Sequence, residues 1–195
     1  MTVFVLGLTG AAGSGKSTVA RHIVEKWGGD VRAFAEPLKA MLTTFLRYQG
    51  VDPDVCRRMV SGDLKEVPTE YLGGRTPREA MQTLGTEWGR SLSADLWVNA
   101  WRRRVDRDVE ESKANAEDYI LIADDVRFPN EAAAIRSRGD IVVRVKRPGA
   151  GLTGTTGRHA SETEDLGAAD MTIANTGDLA QLGMCVDMVV AGVVT

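Results

Sequence analysis

The 195-residue chain is poor in cysteine and histidine, with two of each. Cys56 and Cys185 lie far apart and match no metal or redox spacing. This argues against a zinc cluster, a redox pair and a disulfide-stapled scaffold. Cys185, inside LGMCVDMVV, reads as a small buried hydrophobe. Basic charge is not in excess: 24 Lys and Arg stand against 27 Asp and Glu, a net charge of −3. This argues against broad electrostatic attraction to nucleic acid and leaves open only a local basic cleft; no direct nucleic-acid binding is expected. No apolar run approaches the ~18 residues of a membrane helix, and no basic-apolar-small leader opens the chain. No membrane role is expected, and the location is expected to be cytoplasmic. Repeats and low-complexity blocks are absent. At this length one domain can bury a sizeable core without disulfides or metal.

What is present is an alternation of strand and helix signals. VFVLGLT (3–9) is a β-branched apolar run stopped by glycines, a buried strand. From Lys16, the residues Val19, Ala20, Ile23, Val24 and Trp27 keep a helical rhythm that Gly28-Gly29 ends. Pro37 sits where a first helical turn tolerates it, ahead of Leu38, Met41, Leu42, Phe45 and Leu46. TPRE (76–79) is a capping box, so a helix starts at Thr76 and runs through AMQTLGTEWG. LWVNAWRRRVDRDVEE continues as a charged helix. Strand YILIAD, helix PNEAAAIRSRG, strand IVVRVKR, a Gly/Thr-rich loop, strand MTIAN and a final helix from Asp178 follow. The fold class is α/β, a parallel sheet with helices on both faces. Ligands in such folds gather at the carboxyl ends of the strands.

Directly after the first strand, GAAGSGKST completes G-x-x-x-x-G-K-[ST] with Gly10, Gly15, Lys16 and Ser17, and adds Gly13. Glycines let backbone N–H groups curl around phosphate oxygens, and the following helix turns its positive end toward them. The loop residues Gly10, Ala12, Gly13, Ser14, Gly15, Lys16, Ser17 and Thr18 are the expected nucleotide contacts. Lys16 is expected on the β/γ-phosphates and Ser17 on Mg²⁺, with ATP as phosphate donor. A guanine-nucleotide switch is disfavoured, because D-x-x-G and N-K-x-D occur nowhere. A small-molecule kinase needs an acceptor pocket and a cover that excludes water.

Candidates for both exist. Lys39 lies on the first turn of a helix, where it either meets an acceptor phosphate or is solvated. Arg75, Arg78 and Arg90 surround a helix containing Gly85-Thr86. An interior glycine costs ~1 kcal/mol in a helix, which points to close approach by a ligand or backbone. Trp97 is either a base-stacking surface or core. RPGAGLTGTTGRHASE (147–162) has a lid's composition. Arg158 would stabilise charge on the transferred phosphoryl group, with Arg147 at the preceding strand end. His159 reads as an orienting or capping residue rather than a base. After YILIA, the carboxylates Asp124 and Asp125 reach the sheet edge that holds the phosphate loop. One of them either holds Mg²⁺ through water or binds the acceptor sugar. Arg127 and Glu131 either pair with each other or grip the acceptor.

The order GAAGSGKST, FAEPLK, MQTLGTEWGR…LWV, DDVRFPNEA, VKRPG and HASE…D…I.N.G.L resembles the deoxynucleoside monophosphate kinases of bacteriophages over nearly the whole chain. The resemblance implies a P-loop NTPase/kinase fold in one domain spanning 1–195. Its acceptor-binding insertion would cover about 36–100 and its short lid about 147–162. It further implies transfer of the ATP γ-phosphate to a deoxynucleoside 5′-monophosphate, in the host cytoplasm if the chain is phage-encoded. Lys39, Arg78, Gly85, Thr86 and Trp97 match acceptor-site positions. Asp125, Arg127 and Glu131 match the family's D-x-R-x-x-x-E, with Asp125 joining Ser17 as a metal candidate. Lys65 is assigned to the acceptor in the stretch 47–75, which matches less well and leaves base preference open. Homodimerisation is a family expectation. Alternatives are a kinase of dephospho-coenzyme A or shikimate type, or a non-catalytic ATP-binding interaction module.

Overall fold

The computed structural model describes residues 3–115, 119–151 and 167–194. The chain divides into two compact units, Met1–Phe34 with Val98–Thr195, and Ala35–Trp97. The second spans nearly the residues assigned above to acceptor binding.

The first unit is built on β1 (Val3–Thr9), α1 (Lys16–Trp27) and β2 (Asp30–Val31). The second unit carries α2 (Glu36–Tyr48), α3 (Pro53–Ser61), α4 (Pro77–Gln82), a π-helical segment Thr83–Gly89 and α5 (Arg90–Leu92). The chain then forms α6 (Leu96–Asn115), β3 (Tyr119–Ala123), α7 (Pro129–Arg136), β4 (Ile141–Lys146), β5 (Met171–Ala174) and α8 (Leu179–Val194). The five strands form one sheet in the order β2-β3-β1-β4-β5, and every pairing is parallel.

Two-residue alternation divides the sheet's side chains between two cores. Leu6, Leu8, Ile120, Ile122, Val143 and Val145 pack with Val19, Ala20 and Ile23 of α1 and Leu182, Val186 and Val190 of α8. Val5, Leu121, Ala123 and Val142 pack with Val98, Trp101 and Val105 of α6 and Ala132, Ala134 and Ile135 of α7. The register pairs Val5 with Leu121 and Leu6 with Ile122, so partners across the ladder share a face. Burial on both faces explains why the strands read as near-continuous apolar runs. In the second unit, Leu42, Leu46, Val51, Cys56, Met59 and Val60 make a separate small core.

Gly7 interrupts the apolar run of β1 for a packing reason. A Cβ there would lie 2.6 Å from Ile135 Cδ1 and 3.1 Å from Val126 Cγ2, so the missing side chain lets α7 approach the central strand. Gly7→Ala is expected to destabilise by about 1–3 kcal/mol, the usual range for overpacking a core. Combining it with Ile135→Val, which removes the nearest atom, should recover part of the loss in thermal unfolding. Simple additivity of the two losses would disprove this contact.

Helix α8 is tied to α1 by one carboxylate. Asp187 meets Lys26 Nζ at 2.6 Å, His22 Nε2 at 2.9 Å and Trp27 Nε1 at 3.0 Å. The Lys26 ammonium first, then His22 and Trp27, hold its carboxyl well below the usual carboxylate range. A depressed folded-state pKa contributes stability that is complete above the unfolded value near ~3.9 and is lost as pH falls through the lower folded value. The Tm difference between wild type and Asp187→Asn should therefore be present at about pH 5 and shrink progressively as pH falls below about 4. A gap that persists undiminished at low pH would contradict the pairing.

Candidate active site

The phosphate loop joins the central strand to α1, and its glycines do different jobs. Gly10, Gly13 and Gly15 have φ of 141°, 75° and 107°, conformations that residues with a Cβ rarely adopt. A Cβ on Gly10 would collide with the backbone oxygen of Val145 in β4, and one on Gly15 would sit 2.5 Å from Asn175 Nδ2. A Cβ on Gly13 would meet nothing within 4 Å, so this glycine is needed for its dihedral alone. Ser14 N–H donates to Ala11 O at 3.1 Å, while Thr18 and Val19 N–H both donate to Gly15 O, starting the helix. The N–H groups of Gly15, Lys16 and Ser17 therefore have no carbonyl within α1 to bond. Ser14 is 1 % exposed, and its Oγ has no hydrogen-bond partner among the described residues.

The Lys16 ammonium donates to Gly10 O at 2.7 Å and Ala11 O at 3.0 Å, which holds it over the loop that should carry phosphate. Ser17 Oγ donates to Asp124 Oδ2 at 3.1 Å. This links the start of α1 to the carboxyl end of β3, the strand beside β1. Two hard oxygens, one from the first turn of α1 and one from the end of β3, fit a Mg²⁺ held mainly by phosphates and water. No group of three or more His, Cys, Asp or Glu side chains that could hold a metal by itself occurs among the described residues.

The other members of the charged cluster are placed differently. Asp125 Oδ1 accepts the N–H of Phe34 at 2.8 Å, bracing the segment after β2. The ring of Phe34 stacks on Trp101, with centroids 4.5 Å apart. Glu131 is 4 % exposed, and its Oε2 accepts the N–H groups of Arg127 at 2.8 Å and Phe128 at 3.1 Å. It thus caps α7, whose first turn would otherwise bury unpaired donors. Arg127 stands half-buried in the turn between β3 and α7. Arg147 is exposed and follows β4 directly, with Ala150 N–H on its carbonyl. Arg158, His159 and most of the expected lid fall in 152–166, outside the described residues.

In the second unit Lys39 lies on the first turn of α2, half-buried, and Lys65 lies in the 3₁₀ turn Asp63–Glu66. Arg78 Nε donates to Glu66 Oε1. Thr76 caps α4 as expected, accepting from Glu79 N–H while Glu79 accepts from Thr76 N–H. The helix expected through TLGTEWG is π-helical rather than α-helical from Thr83 to Gly89. Trp97 is 6 % exposed; its indole N–H donates to Gly85 O at 2.7 Å, and a Cβ on Gly89 would run into its ring. Trp97 thus braces the π-helical turn through the Gly85 carbonyl, and Gly89, lacking a Cβ, makes room for its ring. Thr86 lies within the same segment.

No family model matches the chain. Over 200 aligned residues it is 29 % identical to a "Putative deoxynucleotide monophosphate kinase" of Acanthamoeba polyphaga mimivirus, covering 94 % of this chain and 96 % of that one. A stretch of 72 residues is 33 % identical to a cytidylate kinase of Thermotoga sp. (strain RQ2), covering 37 % of this chain and 32 % of that protein. The crystal structure of TT1252 from Thermus thermophilus matches with a TM-score of 0.54 at 20 % identity, over 99 % of both chains. The fold is α/β, a parallel five-stranded sheet between two layers of helices with a phosphate-loop sequence directly after its central strand. Its full-length similarity is to a kinase of a giant virus; nothing in these matches singles out bacteriophages. Among the described residues, no helix is long and apolar enough to cross a membrane.

If Ser17 and Asp124 serve Mg²⁺ together, Asp124→Asn should raise the Mg²⁺ concentration needed for ATP to stabilise the protein by about 10–100-fold, the usual effect of losing a metal's supporting carboxylate. Asp125→Asn should change it far less, because its carboxylate is on Phe34. Thermal shift titrations with Mg²⁺ at fixed ATP measure both; the reverse ranking would give the metal role to Asp125.

Proposed function

We propose that this chain is an ATP- and Mg²⁺-dependent kinase that phosphorylates a deoxynucleoside 5′-monophosphate to the diphosphate, the form that feeds DNA synthesis. The observation that carries the reading is the phosphate loop on the central strand, with Lys16 held at its mouth and Ser17 joined to Asp124. The full-length similarity to the mimivirus protein supports the choice of acceptor class.

In this reading, the amides of Gly13, Gly15, Lys16 and Ser17 and the Lys16 ammonium hold the donor phosphates. Lys16 exchanges its two carbonyl acceptors for phosphate oxygens. Mg²⁺ on the Ser17–Asp124 side supplies neutralisation of the β/γ-phosphate charge. An oxygen of the acceptor's 5′-phosphate attacks the γ-phosphorus in line. The bond from γ-phosphorus to the bridging oxygen breaks, and ADP leaves with that electron pair. A phosphate oxygen is already ionised at neutral pH, so no strong base is required, and positioning with electrostatic stabilisation does most of the work. Arg147, at the end of β4, and Arg158 are assigned to the charge on the transferring group. By the sequence resemblance, Arg127, Asp125, Lys39, Lys65, Arg78, Gly85, Thr86 and Trp97 are assigned to the acceptor. The roles of Asp125 and Trp97 in this set are indirect. Asp125 braces Phe34, and Trp97 shapes the backbone around Gly85.

A radiolabelled ATP assay tests the assignment against deoxynucleoside and nucleoside monophosphates, dephospho-coenzyme A and shikimate. Diphosphate formation from one or more deoxynucleoside monophosphates is expected. Phosphorylation of only dephospho-coenzyme A or shikimate would replace the acceptor, and no transfer at all would leave an ATP-binding module. Lys16→Ala should abolish transfer in a protein that still folds. Arg127→Ala should raise the acceptor KM more than the ATP KM, and equal losses would assign Arg127 to the fold instead.

A further inference from the structure

The loop after β5 is not part of the phosphate loop, yet one of its side chains holds that loop in shape. Asn175 follows the last residue of β5, and its own N–H donates to Lys146 O at 2.7 Å, at the end of β4. From this fixed backbone its Nδ2 donates to Ser14 O at 2.8 Å. The contact is close enough that a Cβ on Gly15 would meet the Asn175 amide.

We propose that Asn175 is a positioning residue for the donor site, acting through the Ser14–Gly15 peptide. The peptide is trans, so its C=O and N–H point in opposite directions. Fixing the Ser14 carbonyl on Asn175 aims the Gly15 N–H away from Asn175. In a loop of this sequence, that N–H is one of the donors that cradle phosphate. The Ser14–Gly15 peptide is followed by a glycine at φ 107°, where no Cβ opposes its rotation, and Gly13 just before Ser14 is also at positive φ, so an external hold on this peptide restricts a locally permissive stretch. Among the described residues, the Ser14 carbonyl accepts no other hydrogen bond, and the Ser14 hydroxyl, buried beside Gly10, has no partner. The clamp therefore acts on the donor nucleotide and not on the acceptor. A donor already aimed needs no reorganisation when the phosphate arrives, which is how preorganised amides contribute to binding and transfer.

This inference rests on the proposed ATP-dependent activity, and the experiment separates the two. Binding of Mg²⁺ with a non-hydrolysable ATP analogue is measured by calorimetry for wild type, Asn175→Ala and Asn175→Asp. Acceptor KM and kcat are measured on the same proteins. Asn175→Ala should weaken analogue binding roughly tenfold to a hundredfold, the range for losing one hydrogen bond to a charged group. The acceptor KM should move less than about threefold, and the unliganded Tm only slightly, because the backbone bond to Lys146 remains. Asn175→Asp should be worse than Asn175→Ala for the analogue, since a carboxylate facing the Ser14 carbonyl repels it and adds negative charge beside the phosphates. Asn175→His, which keeps a side-chain N–H donor, should recover part of the affinity. Analogue binding within twofold of wild type in both Ala and Asp variants would overturn the proposal. So would loss of donor and acceptor use in parallel with a large fall in Tm, which would mark Asn175 as merely structural. Failure of wild type itself to bind the analogue would instead overturn the kinase reading.

Discussion

One loop must touch the ends of three strands, and that steric demand organises the first unit. The phosphate loop leaves β1, crosses against Val145 of β4 at Gly10, and turns into α1 beside Asn175 at the end of β5. Each crossing is closer than a Cβ permits, so the glycines are required by packing before any ligand is considered. The order β2-β3-β1-β4-β5 makes this possible, because it puts β1 at the centre with β3 on one side and β4 on the other. A loop from an edge strand would have neighbours on one side only. Gly7 extends the same demand into the strand, where α7 needs its absent side chain. The backbone of the site is thus placed by sheet topology and pinned at Ser14 by Asn175, while Lys16, Ser17 and Asp124 handle charge.

The charged cluster after β3 shows how one short segment serves both fold and chemistry. Asp124 reaches Ser17, Asp125 holds Phe34, and Glu131 caps α7. A residue leaving a strand continues its alternation, so neighbouring carboxylates go to opposite faces. Ile120 and Ile122 face α1, and Asp124 follows them to that side. Leu121 and Ala123 face α6 and α7, and Asp125 follows them toward Phe34, which belongs to that core. Only one of the two carboxylates can stand near the phosphate loop, and the alternation decides which.

That reasoning was available from the sequence, and it shows what kind of information the chain makes legible. The strands, α1 and the loop could be read because period-two runs, a capping glycine pair and a loop with fixed glycine spacing are local signals. Helix α3 carries an equally local signal, Asp52 ahead of Pro53, whose carboxylate accepts from Asp54 N–H at 2.8 Å. Reading 47–75 as a divergent stretch passed over that cap. Glu131 matched a family pattern of charge, but its burial against two backbone donors depends on how α7 meets the sheet. The clamp from Asn175 joins residues 161 positions apart. No window of sequence contains it, although the asparagine following MTIA was visible as the end of a strand.

The π-helical segment marks the deeper limit of such reading and bears on how an acceptor would be chosen. Apolar spacing in AMQTLGTEWG fits an ordinary helix, and a shift of hydrogen bonds from i+4 to i+5 leaves that spacing almost unchanged over seven residues. Wider turns align their carbonyls poorly, and here Trp97 supplies a donor to one of them, Gly85 O. Gly89 makes room for the same indole. Gly85 and Trp97, which match acceptor-site positions, therefore form one structural device with Gly89 within the second unit. Its exposed product is backbone shape around Gly85 and Thr86. If this unit selects the acceptor, discrimination among bases would rest on that shape, and replacing Trp97 would alter selectivity without removing a direct contact. Base preference would then depend on hydrogen-bond phase in one short helix, a property that residue identity alone leaves undetermined.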